Sequence, residues 1–223
     1  SKSIKSTILV LKIALQILSL FLTILFLSCS DTSEVKVSQT LFTKMNTTGV
    51  DFKNSVTESL HFNFINYSYI YDGGGVAVGD VNNDGFIDIY FTSNQESNKL
   101  YLNKGNFEFE DITEKAGVSD TQGWSTGVTM VDINNDGYLD IYVCKSGSLE
   151  SYDIRRNKLF VNQQDGTFKE EAKQYGLDHF GFSTQAYFFD ADLDNDLDLY
   201  LVNHREDFRN NTVIDNRIQQ DIK

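Results

Sequence analysis

Three short stretches of the chain concentrate carboxylates at one spacing. They align without gaps as GDVNNDGFIDIYF (79–91), VDINNDGYLDIYV (131–143) and FDADLDNDLDLYL (189–201). Oxygen-bearing side chains recur at positions 1, 3, 5 and 9 of each loop: Asp80, Asn82, Asp84 and Asp88, then Asp132, Asn134, Asp136 and Asp140, then Asp190, Asp192, Asp194 and Asp198. Carboxylates this close repel one another unless a cation lies among them. The spacing therefore predicts three metal sites.

The identity of the metal follows from the donor atoms. Side chains at alternate positions of a tight loop turn their oxygens inward together. The backbone carbonyl at position 7 adds a further oxygen ligand, from Phe86, Tyr138 or Asp196. The side-chain carboxylate of Asp196 is expected to point outward. Position 6 must turn sharply, which Gly85, Gly137 and Asn195 tolerate. Ligation by oxygen alone suits Ca²⁺, whereas zinc or iron would call for His or Cys. We expect about three Ca²⁺ ions, one per loop.

Two alternatives compete with this interpretation. An EF-hand needs a bidentate Glu at position 12 and flanking helices, but that position holds Phe91, Val143 or Leu201, within an apolar run. Asx-rich turns also form without metal, through side-chain hydrogen bonds to their own backbone. Three aligned loops with the same oxygen positions favour calcium over the metal-free turn.

The loops belong to a longer repeat whose elements position them. The segment Asn98–Val118 matches Asn157–Leu177, and the first loop aspartates lie 52 and 58 residues apart. Each unit contains a small-residue run before the loop, an apolar run after it, and two further short runs joined by a turn, which predicts four strands. Four strands per roughly 50 residues is typical of a β-propeller blade. We expect an all-β partial arc of about three blades, with segment 41–50 resembling the end of another unit.

The motifs D-x-[DN]-x-D-G-x-x-D between strands resemble the calcium loops of FG-GAP (integrin α-like) and VCBS repeats, which form β-propellers. The stretch GGGVAVGD through EKAGV is similar to the N-terminal repeats of cartilage-acidic-protein-like, ASPIC/UnbV-associated proteins, many of them bacterial lipoproteins. The resemblance covers roughly 41–203. Asn195 departs from the glycine of the motif, and the C-terminal ASPIC/UnbV module has no counterpart here.

The N-terminus differs in kind from the repeats. Lys2, Lys5 and Lys12 precede an uncharged apolar stretch, Ile13–Leu27, and then Ser28 and Cys29. This order resembles a lipoprotein signal peptide over 1–29 whose lipobox ends at Cys29, the lipidation site. An uncleaved membrane-anchor helix is the alternative. We expect a linker over 30–40 and propeller blades over 41–203. The polar segment 204–223 is expected to begin a further blade or to form an insertion. The chain is then expected to be part of a larger propeller.

Composition and motifs together disfavour some classes of function for this chain. A net charge of −13 disfavours nucleic acid as a partner. No Ser-His-Asp order or phosphate-binding loop stands out; His204 is expected to be a solvated loop residue and Cys144 a small buried hydrophobe. Tyr90, Tyr142 and Tyr200 recur at one repeat position and are expected in the core between blades, whereas Tyr67, Tyr69, Tyr71 and Trp124 form a candidate ligand-binding rim. Gly73–Gly75 is expected at a close backbone approach.

These features together predict a calcium-stabilised scaffold outside the cytoplasm, anchored by lipid to a bacterial outer membrane or cell surface, that binds a protein or polysaccharide and is not itself an enzyme. The alternative is the non-catalytic part of an extracytoplasmic lyase or hydrolase whose active site lies in other segments.

Overall fold

The structure, a computed structural model, describes residues 41–147 and 151–205, the backbone of 219–222, and Gln16 alone as a helical residue. The chain divides into two compact units, Ser1–Lys44 and Met45–Lys223. In the first unit the described residues 41–44 are exposed and form neither helix nor strand. The second unit contains the repeats.

The second unit is built from antiparallel sheets of short strands. The first sheet is β1 (Val76–Gly79), β2 (Asp88–Phe91), β3 (Lys99–Asn103) and β4 (Phe109–Asp111), and the second is β5 (Trp124–Val131), β6 (Asp140–Ser146), β7 (Lys158–Asn162) and β8 (Phe168–Glu170), each in sequential order. The third is β9 (Ser183–Phe189), β10 (Leu197–Asn203) and β11 (Gln219–Ile222), in the order β11-β10-β9. A one-turn helix α1 (Thr113–Ala116) and a 3-10 turn (Asp153–Arg155) lie in the connections. The predicted all-β fold is confirmed for these residues, and the predicted four-stranded repeat is confirmed in the first two sheets, whereas the third sheet has three strands among the described residues.

The strand following each acidic loop is the most buried. All seven residues of β6 are buried, because this strand is central in its sheet and the sheet is covered on both faces. Cys144 on β6 is fully buried as predicted, and burial raises the pKa of its thiol. It behaves as a small core residue rather than a nucleophile.

The first strands of the three sheets lie side by side. β5 contacts both β1 and β9. The Gly75 amide donates to the carbonyl of Thr126 at 2.8 Å, and Thr126 Oγ1 donates to the carbonyl of Ser183 at 2.7 Å. Gly74 leaves no room for a Cβ against the Thr92 carbonyl, so the expected close backbone approach is confirmed. Sheets radiating from adjacent inner strands are consistent with a partial β-propeller.

Two apolar clusters fill the spaces between neighbouring sheets. Tyr90 lies between the first and second sheets and Tyr142 between the second and third, both fully buried. Their hydroxyls donate to the carbonyls of Val118 and Leu177, each at 2.8 Å. The prediction for Tyr200 is wrong: its side chain is 48% exposed, because within the described residues no further sheet packs on that face.

The segment before the first sheet resembles the end of a repeat in conformation. Gly49 has φ = +80°, as Gly117 and Gly176 have φ = +72° and +71° at the equivalent turns. The Thr48 carbonyl accepts a hydrogen bond from the Phe109 amide at 2.7 Å. This segment therefore borders the first sheet at β4.

The polar C-terminal segment contributes β11, which pairs with β10 in the place that β7 takes in the second sheet. Apart from Gln16, the predicted signal peptide with its apolar stretch and Cys29 lies outside the described residues. Among the helices that are described, none has the length and apolar character needed to span a bilayer.

Candidate metal centres

The three acidic loops occupy equivalent places in the fold. They join β1 to β2, β5 to β6 and β9 to β10, the two inner strands of each sheet. Each innermost strand runs into its loop, so all three loops lie at the same end of these strands. The repeat thus places the predicted side-chain ligands of positions 1, 3 and 5 in three matching hairpin loops, and those of position 9 at the start of the strand that follows each loop.

The first loop is closed by its own carboxylates. Asp80 accepts hydrogen bonds from the amides of Asp84 (3.1 Å) and Gly85 (2.7 Å). Asn82 Oδ1 accepts from the same Asp84 amide at 3.1 Å, so the oxygens of positions 1 and 3 converge on one point. Gly85 at position 6 has φ = +88°, the left-handed geometry expected from the sequence.

The second loop repeats this geometry atom for atom. Asp132 accepts from the amides of Asp136 (3.0 Å) and Gly137 (2.8 Å), and Asn134 Oδ1 accepts from Asp136 at 3.2 Å. The Asp136 carboxylate accepts from the Tyr138 amide at 2.9 Å, and that hydrogen bond lowers the pKa of Asp136. A carboxylate held ionised in this way is suited to bind a cation.

Position 9 is buried in all three loops, at Asp88, Asp140 and Asp198. Asp140 accepts from the amide of Ile133 in its own loop (2.9 Å) and from that of Asn162 on β7 (2.7 Å). Burial raises the pKa of Asp88, and it raises the pKa of Asp140 to about 6. These carboxylates brace the loop against the sheet, and each oxygen retains a further lone pair for a metal.

Neighbouring sheets also brace the loops. The Asn83 side-chain amide donates to the Gly137 carbonyl at 3.0 Å, which links the first loop to the second. The side-chain amide of Asn162 donates to the Val81 carbonyl at 2.7 Å, also between the first and second sheets. A cation that stabilises one loop would therefore stabilise the contact between two sheets.

The third loop carries more charge than the other two. Asp190, Asp192 and Asp194 bring carboxylate oxygens within 4.8 Å of one another. The pKa of Asp192 is raised, mainly by the charge of Asp194. Asp196 does not simply point outward as expected: a hydrogen bond with the Asp194 carboxyl raises its pKa. Such crowded like charges fit a divalent cation, and the all-oxygen donor set fits Ca²⁺.

The structure thus brings the side-chain ligands together in each loop. The carbonyl ligands from Phe86, Tyr138 and Asp196 stay predictions, as does occupancy by calcium. An acidic cavity of about 770 Å³ separates the second and third loops, lined by Asp132, Asp190 and Asp196 among others.

A second polar cluster, at the opposite end of the innermost strands, was not predicted. Asn94, Ser146 and His204 each follow the first aspartate of their loop by 14 residues. Ser146 Oγ lies 2.8 Å from His204 Nε2, and Tyr67 OH lies 2.9 Å and 3.0 Å from these two atoms. The shared repeat position is the signal that could have revealed this cluster.

Two expectations for this end are wrong. His204 is not a solvated loop residue, because its ring stacks on Tyr69 with centroids 3.9 Å apart and burial lowers its pKa. The aromatic residues do not form one exposed rim either: Tyr67 and Trp124 are buried, at 2% and 4% exposure, whereas Tyr71 is 63% exposed. Tyr67 and Trp124 instead belong to a small apolar core with Ile70 and Phe182.

Comparison with known proteins agrees with the repeat. Residues 80–143 match the FG-GAP-like repeat family. The chain is similar to cartilage acidic protein 1 of Xenopus tropicalis, 40% identical over 72 residues, and to those of Mus musculus (38% over 69 residues) and Homo sapiens (38% over 72 residues). These matches cover 31–32% of this chain and 11% of each relative.

Proposed function

We propose that this chain is a calcium-stabilised β-propeller scaffold that works outside the cytoplasm and binds a protein or glycan. The observation that carries the proposal is the threefold recurrence of one loop geometry, with three carboxylates converging within 4.8 Å in the third loop. The FG-GAP-like match over residues 80–143 supports a scaffold of propeller type.

Calcium has a clear physical role in such a scaffold. The formal net charge is −13, and three Ca²⁺ ions, with six positive charges, would change it to about −7 and remove the repulsion within each loop. Each ion would be held by residues of one loop: Asp80, Asn82, Asp84 and Asp88 in the first, and their equivalents in the other two. Since the first two loops also contact each other, bound calcium would hold adjacent sheets in place.

The N-terminal sequence supports attachment to a membrane through lipid on Cys29. Metabolic labelling with an alkyne fatty acid tests this directly. Incorporation into the wild-type chain and its loss in Cys29→Ser are expected, together with release of the variant from the membrane fraction. Label retained by Cys29→Ser would refute lipidation at Cys29, and an unlabelled wild type that stays membrane-bound would favour the alternative of an uncleaved anchor helix.

We propose that this chain is not itself catalytic. Ser146 and His204 form a serine–histidine pair in the described residues, and Ser146 is fully buried. A nucleophile that no substrate reaches cannot form an acyl intermediate. If the full protein is an enzyme, its active site would use residues other than this pair.

Metal analysis combined with thermal unfolding tests the proposal. The purified chain is dialysed against calcium, its metal content is measured, and melting is followed with and without EDTA. We expect about three Ca²⁺ per chain, and a melting temperature lowered by about 20 °C on chelation, because each site contributes about 2.7 kcal/mol when free calcium is one hundred times the Kd.

Matched variants assign the ions to the loops. Asp194→Asn should lose one Ca²⁺ per chain, whereas Asp165→Asn should lose none, because Asp165 lies in an exposed turn outside the three loops. Absence of stoichiometric calcium in the wild type, or a melting temperature that EDTA leaves unchanged, would refute the calcium scaffold.

A further inference from the structure

The end of the sheets opposite the acidic loops is covered by a segment that does not belong to the repeats. This cap segment (residues 54–72) is tied to all three sheets. Asn54 Nδ2 donates to Asn94 Oδ1 at the end of the first sheet at 2.7 Å. Tyr67 OH contacts Ser146 on the second sheet and His204 beside the third. The cap therefore holds the three sheet ends in one rigid arrangement.

A pocket of about 280 Å³ lies between the cap segment and the innermost strands. The cap contributes Tyr67, Tyr69 and Asp72. The strand side is made of the backbone of Gly73–Gly75 and of residues near the starts of β5 and β9. Its volume lies just below the range of about 300–1,000 Å³ for drug-sized ligands, so it suits a single six-membered ring with substituents.

We propose that this pocket binds one neutral sugar ring of a glycan, an inference that rests on the proposed function of the chain as a binding scaffold and names its ligand class. No lysine or arginine is among the described residues that line it. A phosphorylated, sulfated or uronic ligand would therefore meet the Asp72 carboxylate with no Lys or Arg among the described lining residues to contact it directly.

The polar groups of the pocket are mainly hydrogen-bond acceptors. Asp72 is exposed at the pocket edge. The Gln185 side-chain amide nitrogen is held by Thr129 Oγ1 at 3.2 Å and by the Ala186 carbonyl at 3.3 Å. Gln185 Oε1 lies against Gly127, where a Cβ would not fit. The held amide oxygen of Gln185 and the exposed carboxylate of Asp72 are both suited to accept hydrogen bonds from the hydroxyls of a sugar.

The aromatic side of the pocket is held rigid before any ligand arrives. His204 Nδ1 donates to the Arg205 carbonyl at 2.8 Å, and burial lowers the pKa of the ring, so in the neutral ring Nε2 carries no proton and accepts from one of the two hydroxyls beside it, Ser146 or Tyr67. The imidazole stacks on Tyr69. Tyr67 is buried, so the half-buried ring of Tyr69 is the surface on which the C–H face of a sugar ring would pack, with little loss of side-chain entropy because the ring is already held.

An organic cation is the main competing ligand, because a carboxylate beside aromatic rings also attracts ammonium groups. The pocket favours sugar over ammonium since its tyrosine rings, Tyr67 and Tyr69, both come from the cap segment and do not surround the pocket. The strand side contributes hydroxyl and amide groups from Thr126, Thr184 and Gln185. These groups serve a ligand with several hydroxyls better than a methylated ammonium.

Saturation-transfer NMR and calorimetry on the purified, calcium-loaded chain test the inference. The probes are the methyl glycosides of glucose, galactose, mannose and N-acetylglucosamine, with tetramethylammonium chloride as the cationic probe. We expect at least one glycoside to bind with a Kd of about 1 mM, typical of a single small ring. Asp72→Asn should weaken this binding at least about tenfold, whereas Glu96→Gln, which removes an exposed carboxylate that does not line the pocket, should leave it unchanged.

Three results would overturn the sugar site: no glycoside binding up to about 50 mM, binding that Asp72→Asn leaves unaltered, or saturable binding of tetramethylammonium alone. The calcium content of the same samples separates the two proposals. Three bound Ca²⁺ without sugar binding would refute the sugar site and leave the scaffold intact, whereas loss of calcium binding would refute the scaffold itself.

Discussion

The second and third sheets carry the same repeat in different surroundings. Tyr142 on β6 is fully buried between two sheets and donates to the Leu177 carbonyl, whereas Tyr200, its equivalent on β10, is 48% exposed. Tyr187, which pairs with Tyr200 across the strands, is 54% exposed. The difference shows that the repeat fixes which face a side chain occupies, and that a neighbouring sheet decides whether that face is buried.

The loops of these two sheets differ in the same way. Position 3 of the second loop is Asn134, whose side-chain amide donates to Asp136 at 3.0 Å. Position 3 of the third loop is Asp192, which adds a negative charge to that loop and has a raised pKa. The buried Asp140 accepts hydrogen bonds from backbone amides of its own loop and of β7, whereas in the part of the third sheet that the structure describes with side chains Asp198 accepts from the Ala191 amide of its own loop. The second loop is therefore braced by the protein, and the third depends more on a cation.

Truncation of the position-9 carboxylate should give the largest contrast. In EDTA, Asp140→Ala should lower the free energy of unfolding by about 3 kcal/mol, because the amides of Ile133 and Asn162 lose their acceptor. Asp198→Ala should cost about half as much, since within the described residues outside β11 its carboxylate accepts from one backbone amide, that of Ala191. Urea denaturation measures both. Equal losses would show that the two loops are braced alike.

The pH dependence of stability should separate the metal-free from the calcium-loaded chain. Burial raises the pKa of Asp140 to about 6, above its ordinary value of 3.8. The folded state then binds this proton more tightly than the unfolded state, so the stability of the metal-free chain should increase by about 2 kcal/mol as the pH falls from 7 through 6 towards 4.

The calcium-loaded chain should respond in the opposite direction, because protons compete with the metal for the same oxygens. Urea denaturation at pH 7, 6 and 5, with EDTA or with calcium, measures both trends. Asp140→Asn should flatten the metal-free curve near pH 6. A metal-free wild type that loses stability over this interval would contradict the raised pKa.

Much of the fold was predictable because the repeat is local in sequence. The apolar runs and turns around each loop specify short strands, and β2, β3, β6 and β7 form where the pattern places them. The side-chain ligands were predictable for the same reason, since Asp80 and Asp84 lie within one tight loop. Such features need only a few neighbouring residues.

What sequence reasoning missed depends on distant residues. His204 is surrounded by Tyr67 and Tyr69 of the cap segment, and this segment does not belong to the repeats. The exposure of Tyr200 depends on whether another sheet lies beside it, which the repeat position does not encode. The contact of Asp196 with Asp194 reflects the excess charge of the third loop rather than the spacing of its ligands.

Removal of the tyrosine hydroxyl should test the burial contrast directly. Tyr142→Phe should cost about 1 kcal/mol, because the buried Leu177 carbonyl and the Asn157 amide each lose a hydrogen-bond partner. Tyr200→Phe should change the stability by less than about 0.5 kcal/mol, as for other exposed positions. Chemical denaturation of both variants gives the comparison. A larger loss for Tyr200→Phe would show that the exposed face is covered in solution.

The smallest contrast concerns position 6 of the two loops. Gly137 has φ = +85° and Asn195 has φ = +71°, so both backbones are left-handed, but only glycine adopts this geometry without strain. Gly137→Asn should therefore destabilise the chain by about 0.5 kcal/mol, whereas Asn195→Gly should change the stability by less, because relief of strain is offset by the greater freedom of glycine in the unfolded state. Melting in EDTA measures the backbone effect alone, and melting in calcium adds the effect on metal affinity. If Asn195→Gly raises the melting temperature only when calcium is present, the asparagine limits how well the third loop closes on its ion. An equal rise in EDTA would show that the backbone strain belongs to the metal-free hairpin.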